Sequence, residues 1–491
     1  MEAEPEPQPV QLTTITDETR LALTTFGERA RGLVTPAVRL GVTGLTHAGK
    51  TVFITALVHN LVHGGRLPMF RAYASGRVTG AALEPQPDDS VPRFDYEQHV
   101  DALVSARIWP DSTRQISELR LTVRYESASF LGRTIGSGKL HIDIVDYPGE
   151  WLLDLPLLGK SYADWSASAI AKADTAGHRA LASSWLARLV GVDPRAPENE
   201  TTARELSAAF TAYLRGLRAL DGAIATEPPG RFLMPGDLDN SPALTFCPLP
   251  NVGPGEPQGS LARMMERRYE SYKSVVVRPF FRERFARLDR QIVLVDVLTA
   301  LNGGPQAIAE LEDALSGILA CFRLGRTGWL SGLVSRRIDR ILFAATKADH
   351  LHHGDHDRLE AILGHIVARA VQRAKFAGAK VEVLALASVR ATREASVTTA
   401  GETLPSIIGV PLPGEKIDGR SFDGATEVAL FPGDLPDDAA KAVSADAFPV
   451  DVRFVRFRPP KLERTAEGLT LSLPHIRLDR ALEFLLGDKL A

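Results

Sequence analysis

Along most of this chain, short apolar runs alternate with stretches in which the apolar residues recur at the spacing of a helix. That alternation predicts an α/β fold built on a mostly parallel sheet. The runs that predict strands cover residues 38–42, 120–125, 140–146, 291–296, 341–345 and 380–387. The stretches that predict helices between and before them cover residues 17–33, 52–62, 307–322 and 358–376. A polar stretch rich in glycine and proline, 67–92, predicts a long irregular loop.

Two parts of the chain depart from this alternation. Residues 151–287 show helical spacing, at 162–190, 201–217 and 261–287, and predict a helical insertion that divides the core. Residues 401–491 show short alternating runs and turn clusters, which predict a β-rich extension closed by a helix at 478–486. The predicted organisation is a disordered tail and helix at 1–36, the two parts of the core at 37–150 and 288–400, the insertion at 151–287 and the extension at 401–491.

The composition narrows the class of protein. With 44% hydrophobic residues the chain can bury a large core, and a net charge of −3 gives no reason to expect nucleic-acid binding. The two cysteines, Cys247 and Cys321, lie in no motif and predict neither a disulfide framework nor a zinc site. The sequence shows neither a basic and then apolar leader nor an apolar run long enough to span a bilayer. A cytoplasmic protein without a transmembrane segment is therefore expected.

The most specific motif follows the first predicted strand. Residues 44–51 read Gly-Leu-Thr-His-Ala-Gly-Lys-Thr, a G-x-x-x-x-G-K-T phosphate loop between a strand and a helix. In such a loop backbone N–H groups surround the phosphates, the lysine reaches the β- and γ-phosphates, and the threonine hydroxyl binds Mg²⁺. The alternative is a chance match in a glycine-rich loop. The motif predicts that a nucleotide contacts Thr46, His47, Ala48, Gly49, Lys50, Thr51 and Val52.

A second motif, Asp-Tyr-Pro-Gly at 146–149, follows the predicted strand 140–146. In GTPases an Asp-x-x-Gly in this place lets the aspartate contact Mg²⁺ through water and the glycine N–H meet the γ-phosphate. We predict these roles for Asp146 and Gly149. Asp296 also ends an apolar strand and is the alternative aspartate.

The first switch of a GTPase requires a threonine between these two motifs. The best candidate is Thr113 in the segment Trp-Pro-Asp-Ser-Thr-Arg at 109–114, where its hydroxyl would complete the Mg²⁺ shell. Trp109 is expected against the base or ribose, with Ser112 and Arg114 also at the nucleotide. The alternative is a turn with an anchoring tryptophan.

The segment Thr-Lys-Ala-Asp at 346–349 follows the predicted strand 341–345 and is a variant of the guanine-recognising N-K-x-D motif. The Asp349 carboxylate would accept hydrogen bonds from guanine N1–H and the exocyclic amine, whereas adenine would leave it without donors. Lys347 would pack on the base and His350 would lie beside it. An ordinary loop after a strand is the alternative.

Two further stretches leave alternatives open. Ser388 and Val389 lie where a last guanine motif would offer backbone N–H groups, although Ser388 could equally cap a helix. Four histidines crowd one loop with two aspartates, which fits either a metal site or a solvated helix start. These six residues are His350, His352, His353, Asp355, His356 and Asp357.

Glu150 directly follows Gly149, in the position where Ras-type GTPases carry a water-orienting glutamine. A glutamate can polarise water, but its negative charge is unfavourable beside a γ-phosphate, so slow hydrolysis is expected. We predict Lys50, Glu150 and Arg114 as catalytic residues, and the arginines of 263–287 are the alternative source of a positive charge in cis.

These motifs, in this order, resemble the YcjX family of bacterial stress-inducible P-loop GTPases. The resemblance lies in residues 44–51, 146–151, 346–350, 387–392, 422–424 and 431–434, and it extends over nearly the whole chain after about residue 18. It implies a Ras-like P-loop NTPase core with a helical insertion, GTP/GDP and Mg²⁺ as ligands, and slow hydrolysis of GTP. It also implies a role in the envelope stress response and a membrane-protein neighbour, with peripheral placement at the inner membrane.

A second class of function uses the same phosphate loop. An ATP-driven remodelling or transport enzyme would have no use for a carboxylate under the base, so Asp349 discriminates against it. A nucleotide-stabilised scaffold is a third interpretation, and a single-turnover rate near zero would identify it.

Overall fold

The computed structural model describes residues 36–45, 47–111, 113, 115–127, 138–220, 226–235, 238, 241–284, 287–321, 338–399, 402–417, 419–444, 454–462 and 472–491. A seven-stranded sheet lies at its centre, with strands β1 (Ala37–Gly44), β2 (Val78–Glu84), β3 (Ser117–Tyr125), β4 (Gly138–Asp146), β5 (Arg290–Val295), β6 (Arg340–Ala345) and β7 (Lys380–Ala385). Their order is β2-β3-β4-β1-β5-β6-β7. Strands β4, β1, β5, β6 and β7 are parallel, whereas β3 is antiparallel to both β2 and β4.

The direction of winding reverses at β1, which pairs with β4 on one side and β5 on the other. In such sheets the ligand site lies outside the carboxyl ends of the strands at the reversal point. The register places Val42 of β1 opposite Asp146 at the end of β4. The loops that follow these two strands therefore meet at one edge of the sheet.

Helices cover both faces of this sheet. They are α1 (Lys50–Val62), α2 (Arg71–Ala74), α3 (Tyr96–Asp101), α4 (Tyr162–Ala173), α5 (Ala176–Val190), α6 (Glu200–Ala219), α7 (Leu261–Tyr272), α8 (Val297–Asn302), α9 (Gly304–Ala320), α10 (His356–Ile366), α11 (Ala368–Phe376), α12 (Ala439–Ala442) and α13 (Leu478–Leu486). Tighter 3₁₀ segments occur at Gly149–Gly159, Gly230–Phe232, Pro242–Leu244, Ala348–His350, His353–Asp355 and Gly487–Lys489, and wider π segments at Ala102–Ala106, Lys273–Val277 and Phe280–Arg284. Within the described ranges, none of the helices is both long enough and apolar enough to cross a bilayer.

The strands divide their side chains between two apolar layers, because successive residues of a strand point to opposite faces. Val293 and Val295 of β5 join a cluster that contains the aromatic residues of α4 to α7. Ile292 and Leu294 of the same strand join a second cluster, formed with α1 and α13. The helices between β4 and β5 thus pack on one face of the sheet, and the helix after the phosphate loop packs on the other.

A smaller three-stranded sheet follows β7, in the order β12-β9-β8. It consists of β8 (Arg393–Thr399), β9 (Glu402–Gly409) and β12 (Val428–Leu430), and a two-stranded ribbon of β10 (Lys416–Ile417) and β11 (Arg420–Ser421) lies between β9 and β12 in the chain. Ile407, Phe422, Val455 and Phe457 form a separate small apolar cluster in this part of the chain.

The predicted core strands are confirmed to within a few residues, but the prediction of an irregular loop at 67–92 is wrong. That stretch contains α2 and the edge strand β2, whose Gly80, Ala81 and Ala82 lack the bulky apolar side chains that mark a strand. Two predicted single helices are also interrupted, between α4 and α5 and between α10 and α11. The predicted helix at 261–287 is helical without a break from residue 261 to residue 284, because α7 continues into the π segments. The predicted tail at 1–16 and helix at 17–33 lie outside the described residues.

Candidate functional site

The phosphate loop joins the end of β1 to the start of α1 at the reversal point of the sheet. Gly49 adopts a left-handed conformation, with φ of 84°, directly before the first helical residue, Lys50. A β-carbon on Gly44 would lie 2.7 Å from the carbonyl oxygen of Leu294, so no larger residue fits there without movement of the backbone. The first N–H groups of a helix have no acceptor within the helix, which makes such a turn suitable for binding an anion.

The remaining loop residues lie around this turn. His47 has a φ of 62°, and burial, Lys347 and Arg218 lower the pKa of its imidazole. Ala48 is buried, whereas Val52 is half-buried in the first turn of α1. Thr46 lies outside the described residues.

Lys50 extends across the loop, with Nζ donating a hydrogen bond to the Gly44 carbonyl oxygen at 3.0 Å. Burial lowers the pKa of this ammonium group. Arg218 lowers the pKa further, whereas Asp146 and Glu150 raise it. A buried cation is stable only with compensating partners, so this environment favours the binding of an anion beside Lys50.

Three oxygen-bearing side chains meet next to Lys50, although they come from distant parts of the chain. The Thr113 hydroxyl donates to Asp146 Oδ2 at 2.7 Å and lies 3.4 Å from the Thr51 hydroxyl. Burial raises the pKa of Asp146 to about 6, against the opposing effects of Lys50, Thr113 and the Tyr147 N–H.

The second carboxylate oxygen of Asp146 supplies a test of whether a cation fits this cluster. Oδ1 is buried and has no hydrogen-bond partner among the described residues. Two hydroxyls and a carboxylate with one unsatisfied oxygen form the type of donor set that Mg²⁺ prefers in proteins. The residues present therefore fit a Mg²⁺ ion.

Gly149 lies directly against the phosphate loop. A β-carbon at this position would lie only 2.1 Å from the Gly44 carbonyl oxygen and 2.9 Å from the α-carbon of Leu45. This close approach requires glycine, and it holds the Asp-Tyr-Pro-Gly segment against the phosphate loop.

Glu150 is buried at the start of the 3₁₀ segment Gly149–Gly159, and its Oε1 lies 3.0 Å from Arg218 Nη2. Arg218 belongs to α6, and sequence reasoning missed it. In the sequence, Arg218 stands beside Tyr213, Leu214 and Leu217, whose spacing predicts a helix. That spacing does not predict a contact between Arg218 and Glu150.

The arginines that the sequence predicts as a source of positive charge, Arg114 and those of 263–287, are not found beside Glu150 among the described residues. Arg114 lies outside the described residues, as does Ser112. In the stretch 263–287, Arg263, Arg267 and Arg268 form ion pairs with Glu266, Glu198 and Glu200 respectively. The first pair lies within α7, the other two join α7 to Glu198 in the loop before α6 and to Glu200 at the start of α6, and none of the three involves Glu150.

The aspartate of the Thr-Lys-Ala-Asp segment lies in a pocket of backbone groups at the same edge of the sheet. Asp349 is buried, and its Oδ2 accepts a hydrogen bond from the Ala391 N–H at 2.8 Å. The Thr392 hydroxyl donates to the Asp349 carbonyl oxygen. The loops after β6 and β7 are therefore joined at Asp349.

Asp296, the alternative Mg²⁺ aspartate, is engaged elsewhere. Its Oδ1 caps α8 by accepting the Thr299 N–H at 3.1 Å, and its Oδ2 pairs with Lys347 Nζ. Burial raises the pKa of Asp296, but Lys347 and Thr299 outweigh burial and leave the pKa below its usual value. Among the described residues, Thr113 donates to Asp146 and lies beside Thr51, whereas Asp296 is engaged by Thr299 and Lys347.

Trp109 and His350 both contact Phe457. The Trp109 indole N–H donates to the Phe457 carbonyl oxygen at 2.6 Å, so the tryptophan is anchored by a segment near the end of the chain. The His350 ring meets the Phe457 ring edge-on at 5.4 Å, and burial lowers the pKa of His350.

The segment after β7 contributes mainly backbone. The Val389 side chain is buried in the apolar layer shared with α1 and α13, whereas Ser388 is half-buried. Any contact of Val389 with a ligand at this edge would therefore involve its main chain.

The histidine-rich loop divides its side chains among different partners. His356 Nε2 lies 2.9 Å from the Ala348 carbonyl oxygen, and Asp355 pairs with Arg358 at 2.8 Å. His352 and His353 instead lie 3.9 Å and 2.7 Å from Glu394 Oε2.

A mostly parallel α/β sheet with a glycine-rich phosphate loop at its reversal point places the chain among the phosphate-loop α/β proteins. The model of the YcjX-like family, DUF463, matches residues 38–490, and the chain belongs to that family. One relative, "Ras-like GTPase YcjX" of Escherichia coli (strain K12), is 38% identical over 468 residues, which cover 92% of this chain and 96% of the relative. The protein of the same name from Shewanella oneidensis is 34% identical over 474 residues, covering 92% and 94%.

Proposed function

We propose that this protein binds GTP and GDP with Mg²⁺, hydrolyses GTP slowly and acts as a nucleotide-dependent switch. The observation that supports this most strongly is the meeting of Thr51, Thr113 and Asp146 beside Lys50 at the reversal point of the sheet. The printed name of both relatives, Ras-like GTPase, points to the same activity.

The phosphate end of the site would work through charge. Lys50 and the backbone N–H groups of residues 46–52 would bind the phosphate oxygens, and the N–H of Gly149 would meet the γ-phosphate. Thr51, Thr113 and Asp146 would hold Mg²⁺, directly or through water. When bound, this ion would neutralise negative charge on the β- and γ-phosphates.

The base end would select guanine through hydrogen bonding. The Asp349 carboxylate would accept from guanine N1–H and the exocyclic amine, while the lysine stem of Lys347 packs on the ring. His350, Trp109 and the backbone of Ser388 and Val389 would complete the surroundings of the base. An adenine base would offer the buried carboxylate no donor beyond the Ala391 N–H that it already has, and this disfavours an ATP-driven enzyme.

Slow turnover is inferred from Glu150. A carboxylate stands where a neutral glutamine would orient water without repelling the γ-phosphate, so the hydrolytic water is less well stabilised. We further propose a Ras-like core at 37–150 and 288–400, a helical insertion at 151–287 and a C-terminal extension at 401–491. A cytoplasmic protein peripheral to the inner membrane, with a membrane-protein partner in the envelope stress response, follows from the family resemblance.

Competition binding tests this proposal. Fluorescent GTP bound to the native protein in the presence of Mg²⁺ is displaced with unlabelled GTP, GDP and ATP. We expect GTP and GDP to displace the fluorescent nucleotide, and ATP to bind about a hundredfold or more weakly, because the buried carboxylate would lose the two donors of guanine at a cost of about 2–5 kcal/mol. Equal displacement by ATP would refute guanine selection, and absence of any guanine-nucleotide binding would refute the proposed function itself.

A further inference from the structure

The ion pair between Arg218 and Glu150 connects the helices that follow β4 to the phosphate end of the site. Arg218 lies near the end of α6, and its Nη2 is 3.0 Å from Glu150 Oε1. Glu150 is only 2% exposed, and it directly follows Gly149, whose backbone touches the phosphate loop at Gly44. Glu150, the partner of Arg218, is therefore the next residue in the chain after Gly149, whose N–H is expected to meet a terminal phosphate.

The charge of Arg218 acts on the loop itself. It lowers the pKa of both Lys50 and His47, which lie at the centre of the phosphate loop. Two cations held near each other repel unless negative charge lies between them. Glu150 supplies part of that charge, and a bound polyphosphate would supply much more.

The position of α6 relative to the loop is fixed by packing. Tyr213, Leu214 and Leu217 precede Arg218 and are buried in the apolar layer that also contains Trp151. The packing of these three side chains holds the base of the Arg218 side chain in place.

The segment that carries Glu150 is held by a neighbouring loop. A β-carbon on Gly230 would lie 1.9 Å from the Glu150 carbonyl oxygen, and the Gly230 N–H donates to Asp154 at 2.7 Å. The Arg231 guanidinium lies 3.3 Å from the centre of the Trp151 ring. The ion pair is therefore held from both ends, and holding a charged group in place before reaction is what electrostatic catalysis requires.

A guanidinium group can serve two anions at once. It carries five N–H donors in a planar fork, so one edge can bond to a carboxylate while another faces a phosphate oxygen. In hydrolysis a water oxygen bonds to the γ-phosphorus, the bond to the β,γ-bridging oxygen breaks with its electron pair leaving on GDP, and the protons of water go to phosphate and solvent. Charge builds up on the phosphoryl oxygens meanwhile, and an arginine there stabilises it without gaining or losing a proton.

We propose that Arg218 is a catalytic residue supplied in cis, which contacts the γ-phosphoryl oxygens during GTP hydrolysis, and that Glu150 is the residue that positions it. This inference rests on the proposed GTPase function and adds to it the source of the catalytic positive charge. It also gives a physical reason for a glutamate at position 150, because the arginine offsets part of the charge that would otherwise repel the phosphate.

The decisive measurement is single-turnover hydrolysis of GTP by native protein and Arg218→Ala, together with GTP affinity. A catalytic arginine is worth about 10³–10⁵ in rate, so we expect the variant to hydrolyse GTP about a hundredfold or more slowly, with GTP affinity changed less than about threefold. Arg218→Lys should recover only part of the rate, because an ammonium group lacks the fork of donors. Arg215→Ala, an exposed arginine of the same helix, serves as the matched control and should hydrolyse at the native rate.

A second readout separates a catalytic role from a structural one. GDP with aluminium fluoride imitates the transferring phosphoryl group, and we expect native protein and Arg215→Ala to bind it while Arg218→Ala binds GDP alone. Glu150→Ala combined with Arg218→Ala should be no slower than Arg218→Ala, because the glutamate acts through the arginine.

These measurements separate a failure of the proposed role of Arg218 from a failure of the proposed GTPase function. Native rate and native aluminium fluoride binding in Arg218→Ala would overturn the inference while leaving the GTPase function intact. Loss of GDP binding in that variant would also overturn it, because the arginine would then serve binding. Absence of GTP hydrolysis by the native protein would overturn the GTPase function and this inference together.

Discussion

The phosphate end and the base end of the candidate site are built on different principles. At the phosphate end, Asp146 keeps one buried oxygen without a hydrogen-bond partner among the described residues, and Lys50 is a buried ammonium whose pKa burial lowers. At the base end, Asp349 already accepts the Ala391 N–H and Lys347 is already paired with Asp296.

This comparison indicates that the charged groups of the phosphate end, more than those of the base end, would need a ligand to complete their contacts. Under the proposed function, the buried charges at the phosphate end would gain their remaining partners when an anion and a cation bind. The base end is held in shape by hydrogen bonds to the backbone, so under the proposed function it would discriminate between bases at little cost in reorganisation. Changes at the phosphate end should therefore alter affinity for every nucleotide, and changes at the base end should alter which nucleotide binds.

Lys50→Ala should have the largest effect. Removal of one partner of a buried charged pair costs about 2–5 kcal/mol, so we expect affinity for GTP and GDP alike to fall by about a hundredfold or more. The fold should persist, because the lysine fills no apolar layer. Titration with fluorescent nucleotides and thermal unfolding measure the two effects, with Lys139→Ala on the exposed surface of β4 as the control. A folded Lys50→Ala protein with native affinity would contradict the role of the phosphate end.

Asp349→Asn should come next and should act on specificity. The amide keeps an oxygen that can accept the Ala391 N–H, but it presents a donor where guanine needs an acceptor. We expect affinity for GTP to fall by about tenfold or more and affinity for xanthosine triphosphate to rise, with ATP little changed. Competition titrations with the three nucleotides measure this. A uniform loss for all three would show that Asp349 acts on structure and not on base selection.

Thr113→Val should have a smaller effect that depends on Mg²⁺. It removes the hydroxyl that lies 2.7 Å from Asp146 while nearly keeping the volume of the side chain. One neutral hydrogen bond contributes about 0.5–1.5 kcal/mol, so GTP affinity in Mg²⁺ should fall about threefold to tenfold. GTP binding measured with a chelator should not change. Thr113→Ser keeps the hydroxyl and is the matched control. If Thr113→Val lost the same GTP affinity with and without Mg²⁺, Thr113 would not be a ligand of the ion.

Trp109→Phe should have the smallest effect on binding. The change keeps an aromatic ring but removes the indole N–H that bonds to the Phe457 carbonyl oxygen. The expected loss is about 1 kcal/mol in the free energy of unfolding and less than about threefold in GTP affinity. Denaturant unfolding and nucleotide titration measure the two quantities. A much larger loss of affinity would mean that the anchor to Phe457 shapes the base end directly.

Much of the core could be predicted from the sequence, because parallel strands buried on both faces appear as continuous apolar runs. The strands β1, β5 and β6 are predicted in this way. The edge strand β2 was not, since its glycine and alanine residues and half-exposed face give no such signal. The interrupted helices were also missed, because helical spacing continues across Asp174 and Thr175 although the backbone changes direction there.

The sequence alone determined the groups whose relation is local: the loop from Gly44 to Thr51, the strand that ends at Asp146, and the segment that ends at Asp349. In each, the spacing of a few neighbouring residues fixes both backbone and chemistry. Only the tertiary structure decided that Thr113 lies on Asp146, that Ala391 supports Asp349 and that Arg218 reaches Glu150. Those pairs lie far apart in the chain, and they are brought together by the packing of apolar layers on the sheet, which no local pattern records.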